Sequence, residues 1–200
     1  MSEPEVDALT EVATIGSGRA ATALAQLTER RTMIDVPQVR LSGPGGVQEL
    51  VAVPDADVVA VTMQILGDVT GRTLFMLTVD DARGLCDLLM HRPAGTTTRL
   101  EELERSGLQE VGGILGSAYM DALSEFLGVM IMPSVPSLSV NRAAQILTTA
   151  YEGYTWESDH ALSVQTDFTF MDGGRGLRGF FAFLPDFASL RAILDAVKLA

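Results

Sequence analysis

The sequence predicts an α+β fold that is internally duplicated, with two helix–three-strand–helix halves related by a pseudo-twofold axis. The first observation is a stretch that the chain uses twice, at residues 7–37 and again at residues 106–136. The copies match at one offset of 99 residues, at the pairs Glu11/Glu110, Val12/Val111, Ile15/Ile114, Ala23–Leu24/Ala122–Leu123 and Pro37/Pro136. Unrelated helices would not keep one register over this length, so the pattern indicates an internal repeat. The second observation is that similar strand and helix patterns follow each copy.

Composition indicates a globular chain and restricts its partners. Its 200 residues are 47% hydrophobic, with a mean hydropathy of +0.25, which suffices for one substantial core. The net charge is −12 and Lys198 is the one lysine, which argues against nucleic acid or an anionic membrane but is compatible with a basic protein surface. A lone Cys86 excludes an internal disulfide, and with only His91 and His160 no metal site of its own is expected. The acidic N-terminus and the lack of a long apolar run predict a cytoplasmic protein.

The first half begins with a predicted helix over residues 7–29, after a short acidic lead at 1–6 that we expect to be frayed. At 100° per residue, apolar and small residues gather on one side of this helix: Leu9, Val12, Ala13, Gly16, Ala20, Ala23, Leu24 and Leu27. One strand is predicted at 33–41, with Pro37 implying an edge position or a bulge, followed by a turn at 42–46. Further strands are expected at 48–53 or 57–66 and at 72–79, and then a helix at 81–92 capped by Asp80 or Asp81.

The second half follows a polar linker at residues 96–98, which is the predicted boundary between repeats at about 7–95 and 100–200 of one domain spanning 1–200. Its helix is predicted at 101–128 and its strand region at 129–140. An extra helix is expected at 141–151, without an obvious counterpart in the first half. Alternating residues then predict a strand at 161–171, a turn at 172–176 and a strand at 179–184, and a helix at 189–199 ends the chain.

Most familiar chemical motifs have a structural explanation in this sequence. The glycines of residues 16–22 lie inside a predicted helix and lack the lysine of a phosphate-binding loop. The two histidines are far apart, which gives a nucleophilic triad little support. The aromatic group Tyr151, Tyr154 and Trp156 is more typical of a loop anchor than of a ligand cage.

The polar stripe of the repeated helix is different, because it occurs in both copies. Asp7, Glu11 and Thr14 have the spacing i, i+4, i+7, which places three side chains on one solvent-facing side of the helix. The same three positions in the second copy are occupied by Ser106, Glu110 and Gly113. Such a stripe on one helix is normally only a solvated face, but its recurrence with a central glutamate favours a functional interpretation.

The pattern Asp/Ser-x3-Glu-x2-Asn-x22-Pro, which this chain follows in both copies except at the asparagine, is typical of the CheC/CheX/FliY family of chemotaxis phosphatases. The chain resembles this family over essentially its whole length, and CheC most closely, through the stretches IGSGRAATAL and LQEVGGILGSAYMDALSEFLG. The resemblance implies a CheC-like fold and binding to the phosphorylated response regulator CheY, with hydrolysis of its aspartyl phosphate. It also implies that the glutamate pairs with a receiver lysine, that the asparagine orients the attacking water, and that Mg2+ belongs to the receiver, so no cofactor is expected here.

Neither copy has the family's asparagine. The candidate catalytic residues are Glu11, Thr14, Glu110 and Gly113, and Asp7 and Ser106 are candidate partner-binding residues. A threonine hydroxyl can donate and accept but is shorter than an amide, and a glycine can do neither. We therefore expect weak phosphatase activity.

A non-catalytic adapter that binds CheY-phosphate or the receptor deamidase CheD is the alternative, with residues 141–151 the region to test for CheD. A flagellar-switch scaffold of the FliM/FliY kind is a less favoured third interpretation. The internal repeat makes a monomer the expected state.

Overall fold

The computed structural model describes residues 3–30, 32–35, 37–42, 55–151, 161–172 and 175–197. The helices of this part are α1 Glu3–Thr28, α2 Val79–Leu89, α3 Glu102–Leu127, α4 Ala143–Tyr151 and α5 Phe187–Val197. The strands are β1 Thr32–Ile34, β2 Gln38–Ser42, β3 Asp57–Gly67, β4 Gly71–Thr78, β5 Ile131–Pro133, β6 Ser137–Arg142, β7 Ala161–Asp172 and β8 Arg175–Pro185. The mixed helix and strand content confirms the predicted α+β class.

The strands form one antiparallel sheet in the order β1–β7–β8–β4–β3–β5, with β2 also paired to β7 and β6 also paired to β3. If each of β1–β4 is exchanged with its counterpart in β5–β8, the result is the same strand order read from the opposite edge of the sheet. The register follows the same rule, since Met33 lies opposite Thr169 across β1 and β7, and Met132 lies opposite Leu66 across β5 and β3. The short strands of each half therefore pair with a long strand of the other half.

Within the described residues, the sheet carries four helices on one face and one helix on the other. Alternate side chains of β3 point to opposite faces, because successive residues of a strand do so. Val59, Val61 and Met63 belong to the core under α1, α2, α3 and α5, whereas Val58 and Ala60 belong to a smaller core under α4. The helical pair α1 and α3 therefore lies on the larger core and turns its outer side to solvent.

Helix α3 packs closely against the sheet. A Cβ atom built on Gly112 would lie 2.6 Å from Val61 Cβ, so only glycine allows this approach. Tyr119 of the same helix is buried against Phe181 and Phe183, with ring centroids 5.0 Å and 5.8 Å apart. Burial raises the pKa of the Tyr119 hydroxyl. These contacts fix α3, and with it the second copy of the polar stripe, on the sheet.

Buried charges fix the loop between α2 and α3. The carboxylate of Asp87, which is 1% exposed, accepts hydrogen bonds from the backbone amides of Gly95, Thr96 and Thr97 at 2.8 to 3.1 Å. Arg92 donates to Glu104 in the first turn of α3 at 2.9 Å. The predicted linker at 96–98 lies in this loop, and Thr97 within it is buried.

The same network surrounds the one cysteine. Burial, together with the nearby carboxylates of Glu104 and Asp87, raises the pKa of the Cys86 thiol to about 12. The thiol therefore stays protonated and behaves as a small apolar side chain.

The structure corrects several predicted boundaries. The single strand predicted at 33–41 is wrong, because it is two strands, β1 and β2, with Pro37 between them. Proline has no N–H to give to the ladder, which is why the pairing stops there. The strand region at 129–140 divides in the same way into β5 and β6, so the described residues of each predicted half contain four strands rather than three.

Two helix starts also differ from the prediction. Helix α1 begins at Glu3, so most of the lead expected to be frayed is helical. Helix α2 is capped by Thr78, whose Oγ1 accepts from the Asp81 amide at 3.1 Å, rather than by Asp80 or Asp81. Those two carboxylates lie in the first turn, where the helix dipole favours them.

The remaining predicted elements agree with the structure where it describes them. Of the two alternatives for the next strand, 57–66 is confirmed as β3, and residues 48–53 lie outside the described residues. The extra helix at 141–151 is confirmed as α4, while the matching stretch of the first half, 43–54, lies outside them. So do most of the predicted turn at 42–46, Tyr154, Trp156, His160, residues 173–174 of the second turn and residues 198–200.

Candidate functional site

The first copy of the polar stripe lies on the outer side of α1. Asp7, Glu11 and Thr14 are exposed, and Val12 and Ala13, one helical step away, are buried in the larger core. The side of α1 that the sequence predicts to be buried is therefore buried in the structure, and the stripe is on its exposed side. The stripe is free for contact with a partner in the described structure.

Thr14 uses its hydroxyl within its own helix. Its Oγ1 donates to the carbonyl oxygen of Thr10 at 2.7 Å, the usual bond of a threonine to the residue four positions earlier. The proton of the hydroxyl is thereby committed, and the lone pairs of the oxygen are the part that a water molecule can use. Thr14 can accept a hydrogen bond from a water but is held close to the helix surface.

The second copy of the stripe lies on α3 and keeps its central glutamate. Ser106 and Glu110 are exposed, and Gly113 is half-buried. Leu108 and Val111 on the inner side of this helix are fully buried. Glu110 therefore has the same setting as Glu11, at the centre of an exposed stripe on a helix whose other side is core.

The third position of the second stripe is covered by a proline. A Cβ atom built on Gly113 would lie 3.2 Å from Pro136 Cγ, which is closer than side chains ordinarily approach. The side-chain amide of Gln109 donates from Nε2 to the carbonyl oxygen of Pro136 at 2.5 Å. Pro136, the last residue of the repeated pattern, thus lies over the position where the family's asparagine would stand.

Gln109 is a residue of this site that the sequence motif does not indicate. Its carboxamide lies four residues before Gly113, so the two positions share one side of the helix. That spacing was visible in the sequence, but the bond to Pro136, 27 residues away, was not. Gln109 and Ser106 also line a shallow depression of about 510 Å3, together with Leu100, Glu101, Glu102 and Arg105.

The two stripes lie on helices that pack against each other. A salt bridge between Arg19 of α1 and Glu125 of α3 joins the exposed sides of the pair. Both stripes therefore belong to the helical layer that faces away from the sheet. The six predicted site residues are divided between two neighbouring helices rather than gathered into one cleft.

The described residues give no sign of a metal ligand set or of a membrane span. Within them, no three His, Cys, Asp or Glu side chains are grouped so that they could hold a metal ion. No helix among the described ranges is both long enough and apolar enough to cross a bilayer. The chemistry available at the stripes is that of carboxylates, hydroxyls and one carboxamide.

Comparison with known proteins agrees with this arrangement. The model of the CheC-like family matches residues 103–140, the stretch that contains the second stripe and Pro136. Over 199 residues the chain is 27% identical to the CheY-P phosphatase CheC of Bacillus subtilis (strain 168), with 98% of this chain and 95% of that protein covered. These similarities agree with the resemblance to the CheC-like family that the sequence motifs indicate.

Solved structures share the fold. The crystal structure of Thermotoga maritima FliY is similar with a TM-score of 0.78 and 19% identity, covering 100% of this chain and 98% of that one. A chain of the CheX–CheY–BeF3–Mg2+ complex from Borrelia burgdorferi is similar with a TM-score of 0.57 and 16% identity, covering 92% and 96%. At these identities the likeness concerns the fold alone, which this chain shares with FliY and with a chain of this complex.

Proposed function

We propose that this chain is a chemotaxis protein that binds a phosphorylated CheY-like receiver through Glu11 and Glu110 and slowly promotes hydrolysis of its aspartyl phosphate. The observation that carries the proposal is the pair of equivalent, exposed glutamates on two packed helices. The names of its relatives support it, since the Bacillus subtilis protein is a CheY-P phosphatase and the Borrelia burgdorferi structure contains CheX with CheY.

Each glutamate is suited to anchor a receiver by its charge. A carboxylate at the centre of an exposed stripe can pair with a lysine beside the phosphorylated aspartate, the role that the family resemblance gives it. A charge-assisted contact of this kind contributes roughly 1.5–3 kcal/mol where it excludes water. The chain's net charge of −12 also favours encounter with a basic surface. Asp7 and Ser106 lie one helical turn before the glutamates and extend the same contact.

The catalytic contribution of the stripes is positional. A water molecule held in line with the phosphorus reacts faster, because its orientation no longer has to be found in the transition state. Thr14 can accept a hydrogen bond from such a water through its oxygen, but its hydroxyl proton is held by Thr10. Gly113 offers no side chain. The Mg2+ that neutralises the phosphoryl group would belong to the receiver, and the chain itself would need no cofactor.

The two halves are best explained as copies of one ancestral unit in a single domain of residues 1–200. The reversible strand order and the shared register support this inference. Because β1 and β2 pair with β7, and β5 and β6 pair with β3, each half needs the other to complete its strand pairing. The internal pair of helices already gives the symmetry that a dimer would provide, so we propose a monomer, acting in the cytoplasm.

A second candidate function is that of a non-catalytic adapter, which binds CheY-phosphate without hydrolysing it or binds CheD. The hydroxyl bond of Thr14 and the closure over Gly113 favour it, because both weaken catalysis without touching the glutamates. For CheD, α4 remains the region to test. It lies on the other face of the sheet beside a groove of about 570 Å3 lined by polar residues of β3 and β6 and by residues of α4.

Binding and hydrolysis can be measured separately. A CheY-like receiver activated with beryllofluoride and Mg2+ reports affinity, and the same receiver phosphorylated by a small-molecule donor reports the rate of phosphate loss. We expect Glu11→Gln and Glu110→Gln each to weaken binding at their own stripe, and the double variant to weaken overall binding about tenfold or more.

Glu29→Gln is the matched control for this experiment. Glu29 is an exposed glutamate just after α1, roughly 27 Å along the helix axis from Glu11. Unchanged affinity in the double variant would contradict docking through the glutamates. Intact binding by the wild type without faster phosphate loss would leave the adapter as the function.

A further inference from the structure

The second stripe lacks a side chain at position 113, yet a carboxamide lies one helical turn away. Gln109 and Gly113 have the spacing i, i+4 and share one side of α3. Helical side chains lean toward the N-terminus, so an amide carried by residue 113 would lie over the turn that holds Gln109 and Glu110. The carboxamide of Gln109 therefore lies in the region where the absent amide would act.

Pro136 connects these two positions. It covers Gly113, where an added Cβ would approach Pro136 Cγ to 3.2 Å, and it accepts the Gln109 Nε2 hydrogen bond at 2.5 Å. The bond fixes the plane of the amide and commits one of its donors. Oε1 is the acceptor of the same amide and can take a hydrogen bond from water. Gln109 is half-buried and lines the depression beside Ser106, so solvent reaches it.

We propose that Gln109 is the water-positioning residue of the second half, in place of the motif asparagine. The proposal rests on the proposed function, in which Glu110 holds a phosphorylated receiver. Gln109 Oε1 accepts a hydrogen bond from the attacking water, whose oxygen forms the new bond to phosphorus. The bond between phosphorus and the aspartyl oxygen breaks, its electron pair stays with the carboxylate, and the protons of the water leave with inorganic phosphate.

Among its described residues, the first half has no equivalent of this arrangement. Thr10 occupies the position that matches Gln109, and its hydroxyl donates to the carbonyl of Val6 at 2.8 Å. Its side chain carries no amide, and the third position is filled by Thr14. The two stripes thus present water with different groups, a hydroxyl oxygen in the first and a carboxamide oxygen in the second.

A purely structural role for Gln109 would be to hold the connection between β5 and β6 against α3. The two roles differ in what they affect. A structural bond would change the stability of the protein and the activity of both stripes. A water-positioning residue affects hydrolysis at the second stripe only, with receiver affinity retained.

The experiment starts from Thr14→Ala, which removes the hydroxyl of the first stripe. Phosphate loss from the receiver, affinity for the beryllofluoride-activated receiver and the thermal midpoint are measured for each variant. We expect the Thr14→Ala protein to retain the ability to accelerate phosphate loss. The double variant Thr14→Ala/Gln109→Met should lower that acceleration about tenfold or more, while its affinity for the receiver changes less than about twofold. Methionine matches glutamine in length but lacks the amide. Adding Gly113→Asn should restore the acceleration, because Pro136 is then no longer tied to residue 109.

Two outcomes in the Thr14→Ala background would overturn the inference while leaving the proposed docking intact. One is normal receiver binding by Thr14→Ala with no acceleration, and the other is equal acceleration with and without Gln109→Met. In a Glu110→Ala background, Gln109→Met should leave the rate of the first stripe unchanged. If Gln109→Met slowed phosphate loss equally in the Thr14→Ala and Glu110→Ala backgrounds, its role would be structural, and this result would also overturn the inference. Failure of the wild type to bind the activated receiver would instead contradict the proposed function.

Discussion

The outer sides of α1 and α3 have the same central residue and different third positions. Glu11 and Glu110 are both exposed on helices whose inner sides are buried. At the third position Thr14 bonds to its own helix, whereas Gly113 is covered by Pro136 from another element. Under the proposed function, the glutamates dock the receiver and the third positions orient water, so the two stripes would dock alike and differ in water positioning.

The second stripe also depends on the loop that leads into its helix. Asp87→Ala removes a buried carboxylate that accepts three backbone amide bonds and leaves those amides without a partner. We expect a loss of roughly 3 kcal/mol in the free energy of unfolding, measured by urea denaturation. Asp80→Ala is the control, since Asp80 is exposed and should change stability by less than about 0.5 kcal/mol. A loss no larger than that of the control would show that the loop is not held by Asp87.

Restoring the asparagine should separate the two stripes. Thr14→Asn adds an amide at an exposed position, so we expect the rate of receiver dephosphorylation to rise about tenfold. Gly113→Asn should raise it less than about threefold, because its Cβ would lie 3.2 Å from Pro136 Cγ, and this proline, which Gln109 holds, would have to shift. The measurement is first-order phosphate loss at saturating protein.

Thr22→Asn is the matched control for this comparison. Thr22 is also exposed on α1 and donates to the carbonyl of Gly18, four residues earlier, at 2.9 Å. It has the same local bond as Thr14 but lies two helical turns beyond it. The rate of receiver dephosphorylation with Thr22→Asn should equal the rate with the wild type. A rise as large as that of Thr14→Asn, or equal gains at positions 14 and 113, would contradict the difference described between the stripes.

A smaller effect concerns pH and the first turn of α3. The hydrogen bond from Arg92 holds the pKa of the Glu104 carboxyl below its usual value. A carboxyl whose pKa is lower in the folded state stabilises the fold above the unfolded-state pKa, and this contribution is lost as pH falls through the folded-state pKa. We expect the thermal midpoint to fall less between pH 7 and about 3 in Glu104→Gln than in the wild type. Glu102→Gln, an exposed neighbour, should follow the wild type, and parallel curves for all three would contradict the contribution.

Local periodicity was enough to predict the helices and the stripe. The buried side of α1, with Leu9, Val12 and Ala13, and its exposed side, with Glu11 and Thr14, follow from a rotation of 100° per residue. The bond from Thr14 to Thr10 is also local, and a threonine inside a helix could have suggested it. The repeat predicted the same setting for Glu110.

The sequence thus determined two amphipathic helices, a glutamate at the centre of the polar stripe on each, and the absence of both motif asparagines. The tertiary structure decided that the short strands pair with the opposite half, that Pro136 covers Gly113, and that Gln109 donates to Pro136. The reason is the range of the interactions. The face of a helix is set by residues three and four positions apart, whereas the contact between α3 and Pro136 depends on how β5 and β6 pair with β3. The sequence pattern does not specify that pairing between distant strands.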